Sequence, residues 1–142
     1  MSGPDAVIQV VREWVMKAEN DLTTARHTLG LGDACPTDTV CFHAQQCVEK
    51  YLKAFLTLQS TGFPRTHDIE ELFRVLPPEM IPALRFDQQR MLTRYATVTR
   101  YPGAYEAVSL REARQAVAMA RKVRQCVRRA LPKESKTKMR KR

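Results

Sequence analysis

No pair among the four cysteines stands at C-x-x-C spacing, and no His and Cys cluster forms a zinc-ligand set. The sequence therefore points to no metal and no cofactor. Cys35, Cys41, Cys47 and Cys126 read as small core residues. On a shared helix Cys41 and Cys47 lie about 120° apart, which rules out a bridge between them. Nothing at the N-terminus resembles a signal peptide, so reduced thiols and a cytoplasmic location are expected. No apolar run approaches the ~20 residues that span a bilayer, so no membrane role is expected. Strand-length alternation and internal repeats are also missing, which leaves an all-α, up-and-down helical bundle as the expected fold class.

What is present fits one domain of 142 residues with basic character, formal net charge +9. The segment from Lys133 onward carries a local +5, which leaves +4 for residues 1–131. Residues 1–131 are expected to form the helical domain. Residues 132–142, opened by Pro132 and almost devoid of apolar groups, are expected to be a basic disordered tail.

Apolar spacing predicts about five helices. The first runs from Asp5 to Leu29 along a seam of Val11, Val15, Ala18, Leu22, Ala25 and Leu29, and Gly30-Leu31-Gly32-Asp33 ends it. Pro36-Thr37-Asp38 opens the second, with Thr37 or Asp38 accepting from its free amides. A short third helix spans His67 to Leu76, with Thr66 as N-cap, and Pro77-Pro78 stops it. The fourth covers Ala83 to Thr99, with Leu84, Met91, Leu92, Tyr95 and Val98 inward, and is broken by Pro102 and Gly103. The last opens at Ser109, where Glu112 three residues on completes a capping spacing, and ends before Pro132.

The second helix is the central one. Cys41, Ala44, Cys47, Val48, Tyr51, Leu52, Ala54, Phe55, Leu56 and Leu58 cover an arc of about 200°, wider than a surface helix needs. The remaining sector is a polar stripe of His43, Gln46, Glu49, Lys50, Lys53 and Thr57. Gln45 falls inside the apolar arc, where an amide must be hydrogen-bonded, and is expected to brace a neighbouring backbone.

Three further features bear on binding. Arg65-Thr66-His67-Asp68 lies at a helix start, where free amides favour an anion, although Asp68, Glu70 and Glu71 also suit that end of the dipole. Arg100-Tyr101-Pro102 places an arginine on a backbone restricted by proline. On the last helix Arg111, Arg114, Arg121, Lys122, Arg124, Arg128 and Arg129 share an arc of about 160°. That face suits either solvent or an anionic partner.

The run Cys41-Phe42-His43-Ala44-Gln45-Gln46-Cys47-Val48-Glu49-Lys50-Tyr51-Leu52-Lys53-Ala54-Phe55, followed by Arg65-Thr66-His67-Asp68-Ile69 and Arg100-Tyr101-Pro102, resembles the HEPN family, the higher eukaryote and prokaryote nucleotide-binding domain. Lys17-Ala18-Glu19-Asn20-Asp21-Leu22 resembles its first helix, so the likeness spans almost all of residues 7–131. It implies a nucleotide- or RNA-binding module that contacts phosphate through His43, Lys50, Lys53, Arg65, His67 and Arg100. It also implies a homodimer and a small nucleotidyltransferase as partner in a two-component, toxin–antitoxin arrangement. Many family members are metal-independent ribonucleases that use an Arg followed by four to six residues and a His, and a ribonuclease toxin is the alternative reading. Here His27, His43 and His67 are the only histidines, none follows an Arg at that spacing, and five residues on from Arg100 stands Tyr105. A tyrosine of ordinary pKa near ~10 is a poor general base at neutral pH, so no catalytic residue is assigned and binding without cleavage is expected.

Overall fold

Pro4 supplies the fixed φ that suits a first helical position, and from it α1 runs unbroken over Pro4–Leu29. The expected seam is buried at Val11, Val15, Ala18, Leu22 and Ala25, and Asp21 joins it. At the C-terminus the Gly30 amide returns to the carbonyls of Arg26 and His27. A 3-10 turn over Gly32–Ala34 then reverses the chain, and its φ of +67° at Gly32 is the left-handed conformation that glycine adopts without strain.

The computed structural model describes residues 3–97 and 107–136. Among these are α2 (Thr37–Leu58), α3 (Ile69–Arg74), α4 (Phe86–Thr97), α5 (Leu110–Ala130) and α6 (Lys133–Lys136), with no strand. The all-α bundle expected from the sequence is the fold observed. Helix α2 is its axis: α1, α3, α4 and α5 all pack on it. Val40, Cys41, Ala44, Cys47, Val48, Tyr51, Leu52, Ala54 and Leu56 are fully enclosed. Burial on that scale, at about 25 cal/mol per Å² of apolar surface, is the main force holding the other helices to it.

Several helix ends differ from expectation because tertiary contacts compete with local ones. Asp68, not Thr66, caps α3, accepting from the Glu71 amide at 3.2 Å. Thr66 instead accepts from the Asp68 amide at 2.9 Å. The His67 carbonyl and ring are both drawn toward α2, so residue 67 is held outside the helix. At the start of α2 it is Asp38 that accepts from a free amide, that of Thr39, while the Thr37 hydroxyl donates to the Val108 carbonyl just before α5. Helix α4 begins three residues later than the spacing suggests, and Leu84 is buried from the preceding loop.

Helix α2 closes with the Ser60 amide bonded to Thr57 O and the Thr61 amide to Leu56 O, both at 3.0 Å. This is the paired Schellman pattern. The residue in the left-handed position is Ser60, at φ +54°, where glycine is usual.

Helix α6 departs from the expectation of disorder from residue 132 onward. Ser135 is buried, its hydroxyl donates to the Pro132 carbonyl at 2.7 Å, and the helix packs on α1. The Lys136 ammonium donates to the Arg128 carbonyl at 2.9 Å, placing a cation on the free carbonyls that end α5.

Candidate functional site

The polar stripe of α2 is built around two buried carboxylates on opposite sides of Gln46. Asp21 of α1 is 8% exposed and Glu49 of α2 is 3% exposed. Each binds one histidine and one lysine. Asp21 Oδ1 lies 2.8 Å from His43 Nδ1, and Asp21 Oδ2 accepts from Lys50 at 2.6 Å. Glu49 Oε1 lies 2.8 Å from His67 Nδ1, and Glu49 Oε2 accepts from Lys53 at 3.0 Å.

An ionised carboxylate can only accept, so each histidine carries a proton on Nδ1 and directs Nε2 away from its acid. His67 remains exposed, with 55% of its side chain open to solvent, whereas His43 is half-buried. Amides extend the Glu49 cluster. Gln46 donates to Gln45 Oε1 at 2.7 Å, and Gln45 Nε2 donates to Glu49 at 3.0 Å and to the His67 carbonyl at 3.3 Å. Gln45 thus braces a neighbouring backbone as its position in the apolar arc requires.

Lys53 is enclosed as well as paired. Its ammonium lies 5.6 Å from the Trp14 ring centroid and 5.9 Å from that of Phe63, within the range where an aromatic face attracts a cation. Glu49 and Lys53 therefore do not form a solvated edge, as a pattern read on one helix suggests. The second side of α2 is covered by α1 and by the chain leading to α3.

The sequence-derived candidates are thus only partly assembled. The structure joins His43 with Lys50 through Asp21, and Lys53 with His67 through Glu49. Arg65 is exposed two residues before His67. Arg100 lies outside the described residues. The organising residues that sequence reasoning did not place in the site are Asp21 and Glu49. A signal for Asp21 existed: with Ala18, Leu22 and Ala25 it occupies the inward positions of α1, where an acid demands a partner.

A third cluster joins α1, α2 and α5. Glu19 receives Arg124 through two bonds, Nε to Oε2 at 2.7 Å and Nη2 to Oε1 at 3.0 Å, and it also accepts the Tyr51 hydroxyl. Arg128 approaches the same hydroxyl at 3.4 Å. Burial alone pushes the Glu19 carboxyl up, but the hydrogen bonds from Arg124 and Tyr51 outweigh it and hold the pKa below the ordinary value. The Tyr51 phenol is pushed up by burial and by Glu19. Near the start of α5, Tyr95 donates to Glu112, while Glu112 N donates to the capping Ser109 hydroxyl at 3.0 Å. Burial and the nearby Glu112 charge push the Cys41 thiol up to about 12. All four cysteines are free. Among the described residues no cluster of His, Cys, Asp or Glu could hold a metal ion, and no helix is long and apolar enough to cross a membrane.

Comparison with known proteins agrees with this architecture. The family model of the HEPN domain matches residues 11–130. The crystal structure of TT1696 from Thermus thermophilus superposes with a TM-score of 0.71 at 29% identity, covering 85% of this chain and 98% of that one. The structure of ST0689, an archaeal HEPN homologue, gives a TM-score of 0.66 at 28% identity, over 84% of this chain and 96% of that one. No curated protein matches significantly.

Proposed function

The chain belongs to the HEPN domain family, and from that premise we propose that it is a nucleotide- or RNA-binding module whose contact edge is formed by His67 and Arg65 above the Glu49 cluster. The observation that carries this reading is the exposed His67 ring, held at Nδ1 by a buried carboxylate 2.8 Å away. Its orientation is fixed before any ligand arrives. In the protonated state Nε2 donates to a phosphate oxygen, and Glu49 balances the charge that the ring then carries. Arg65 adds a planar set of donors suited to phosphate. Lys53 supports this edge through Glu49, while His43 and Lys50 offer further cationic groups around Asp21 on the same helix.

The same reading carries a homodimer, a small nucleotidyltransferase as partner in a toxin–antitoxin pair, and a cytoplasmic location. Sedimentation equilibrium at micromolar concentration tests the dimer, and a purely monomeric distribution removes it.

The test of the site is titration of the pure full chain with ATP, GTP and a short RNA while following both binding and cleavage. Binding of ATP or GTP that weakens with salt and is lost in a His67→Ala, Arg65→Ala double variant is the expected result. Retention of full nucleotide affinity by that variant overturns the proposal. A second reading, metal-independent RNA cleavage, rests on the same geometry, because a carboxylate-held imidazole that turns Nε2 away from its acid is the arrangement a general base requires. Cleavage lost in His67→Ala would establish it.

A further inference from the structure

The flank of α1 turned away from Asp21 carries a groove that the site above does not use. It is a depression of about 660 Å³ between α1 and α5. Glu19, Thr23 and Arg26 line it from α1, and Arg121, Lys122 and Arg124 from α5. Around the α1 axis Asp21 lies about 160° from Glu19, so the groove and the His43–Lys50 cluster face different sides of the same helix. A shallower depression of about 320 Å³, formed by Thr23, Arg26 and His27, adjoins its α1 wall.

The charge balance of this groove is one-sided. Glu19 is its single acidic lining residue, and both carboxylate oxygens are already engaged by Arg124, one of them by Tyr51 as well. That pair neutralises itself. Arg26, Arg121 and Lys122 are left exposed and in surplus. Among the described residues no carboxylate forms an ion pair with any of the three. Among the described residues Lys122 makes only a long bond, 3.4 Å, to the Ala83 carbonyl. Farther along the same flank of α1, the enclosed Nε of Arg12 has no hydrogen-bond partner among the described residues.

We infer that this groove seats the phosphodiester backbone of a single-stranded nucleic acid, independently of the nucleotide edge at His67. Arg26 on the α1 wall and Arg121 and Lys122 on the α5 wall supply three cations for backbone phosphates, and Thr23 and Gln125 add neutral donors beside them. The lining contains no aromatic side chain, so bases find no stacking platform, and recognition is of the backbone and indifferent to sequence. The span from Glu19 to Arg26 is about 10 Å along α1. A depression of about 660 Å³ accommodates a single backbone, whereas a duplex is too wide to enter it.

Contacts to about three phosphates of a single strand give a slope of log affinity against log salt of roughly −2 from this groove. The experiment is fluorescence anisotropy of the full chain with a labelled oligouridylate at several KCl concentrations, with unlabelled ATP titrated in parallel. Arg26→Glu combined with Arg121→Glu should weaken oligouridylate binding at least about tenfold and flatten the slope by roughly 1.4, two phosphate contacts' worth. ATP affinity should stay unchanged. The basic C-terminal residues are common to both proteins, so they cancel in the comparison. Both positions are exposed, and the milder Arg26→Gln, Arg121→Gln pair serves if charge reversal impairs folding. Unchanged oligouridylate affinity and slope would overturn the inference, as would equally effective competition by polyglutamate, which would assign the groove to an acidic polypeptide. Loss of ATP binding in His67→Ala with oligouridylate binding intact supports the groove, whereas absence of ATP binding in the parent chain removes the nucleotide edge alone.

Discussion

Tyr51 donates its phenolic hydrogen to Glu19, 32 residues earlier, and so fastens α2 to α1 at the level where Arg124 of α5 grips the same carboxylate. Three helices meet on one acid. The packing of the bundle and the charge of that acid are therefore linked.

The linkage has a definite sign. The folded-state pKa of Glu19 is depressed, so its contribution to stability is present above the unfolded-state value near 4.5 and is lost as pH falls through the lower folded-state value. Denaturant unfolding from neutral pH down to about pH 3 should show this loss, and Glu19→Gln should flatten that part of the profile. Tyr51→Phe at neutral pH should cost about 1.5–3 kcal/mol, the usual range for a hydrogen bond to a charged group. A Glu19→Gln profile parallel to the parent's would contradict this account.

The Glu49–Lys53 pair should respond unequally to its two halves. Glu49→Leu leaves a lysine buried without its acid, and we expect a loss of about 3–5 kcal/mol. Lys53→Met leaves the carboxylate with His67 and Gln45 still donating and places an apolar chain against Trp14 and Phe63. Its cost should be smaller, below about 2 kcal/mol. Urea unfolding of both variants decides the matter, and equal losses would mean that Lys53 is the main support of the acid.

Truncation on the bundle axis should be severe. Leu52 is fully enclosed and Phe55 is nearly so, and Leu52→Ala or Phe55→Ala should cost roughly 2–5 kcal/mol. Losses under about 1 kcal/mol at both sites would show that α2 is not the core helix.

At Ser60 the opposite direction is expected. A left-handed conformation costs a residue bearing a Cβ about 1–2 kcal/mol, part of which glycine gives back through its freer unfolded chain. Ser60→Gly should raise stability by about 0.5–1 kcal/mol in thermal or urea unfolding. A decrease would show that the Ser60 side chain makes a compensating contact.

The helices were legible because apolar spacing and burial obey the same geometry. The Val11-to-Ala25 seam, the breadth of the α2 arc and the Ser109–Glu112 cap all follow from residues close in sequence. The clusters were less legible because their bonds join distant segments. His43 and Lys50 look like surface cations until Asp21 arrives from another helix, and Glu49 looks solvated until His67 folds over it. The start of α3 shifted for the same reason. The basic face of α5 was visible from spacing alone, but only the structure shows Glu19 removing Arg124 from it while leaving Arg121 and Lys122.

Trp14 is the single tryptophan of the chain, and it stands 5.6 Å from the Lys53 ammonium. The protein thus contains its own optical reporter at the Glu49 cluster. A positive charge held against the indole shapes its excited state, so emission from this one fluorophore tracks whether Lys53 stays in place when His67 engages a ligand. Any event that opens the joint between α1 and α2 becomes readable without attaching a dye.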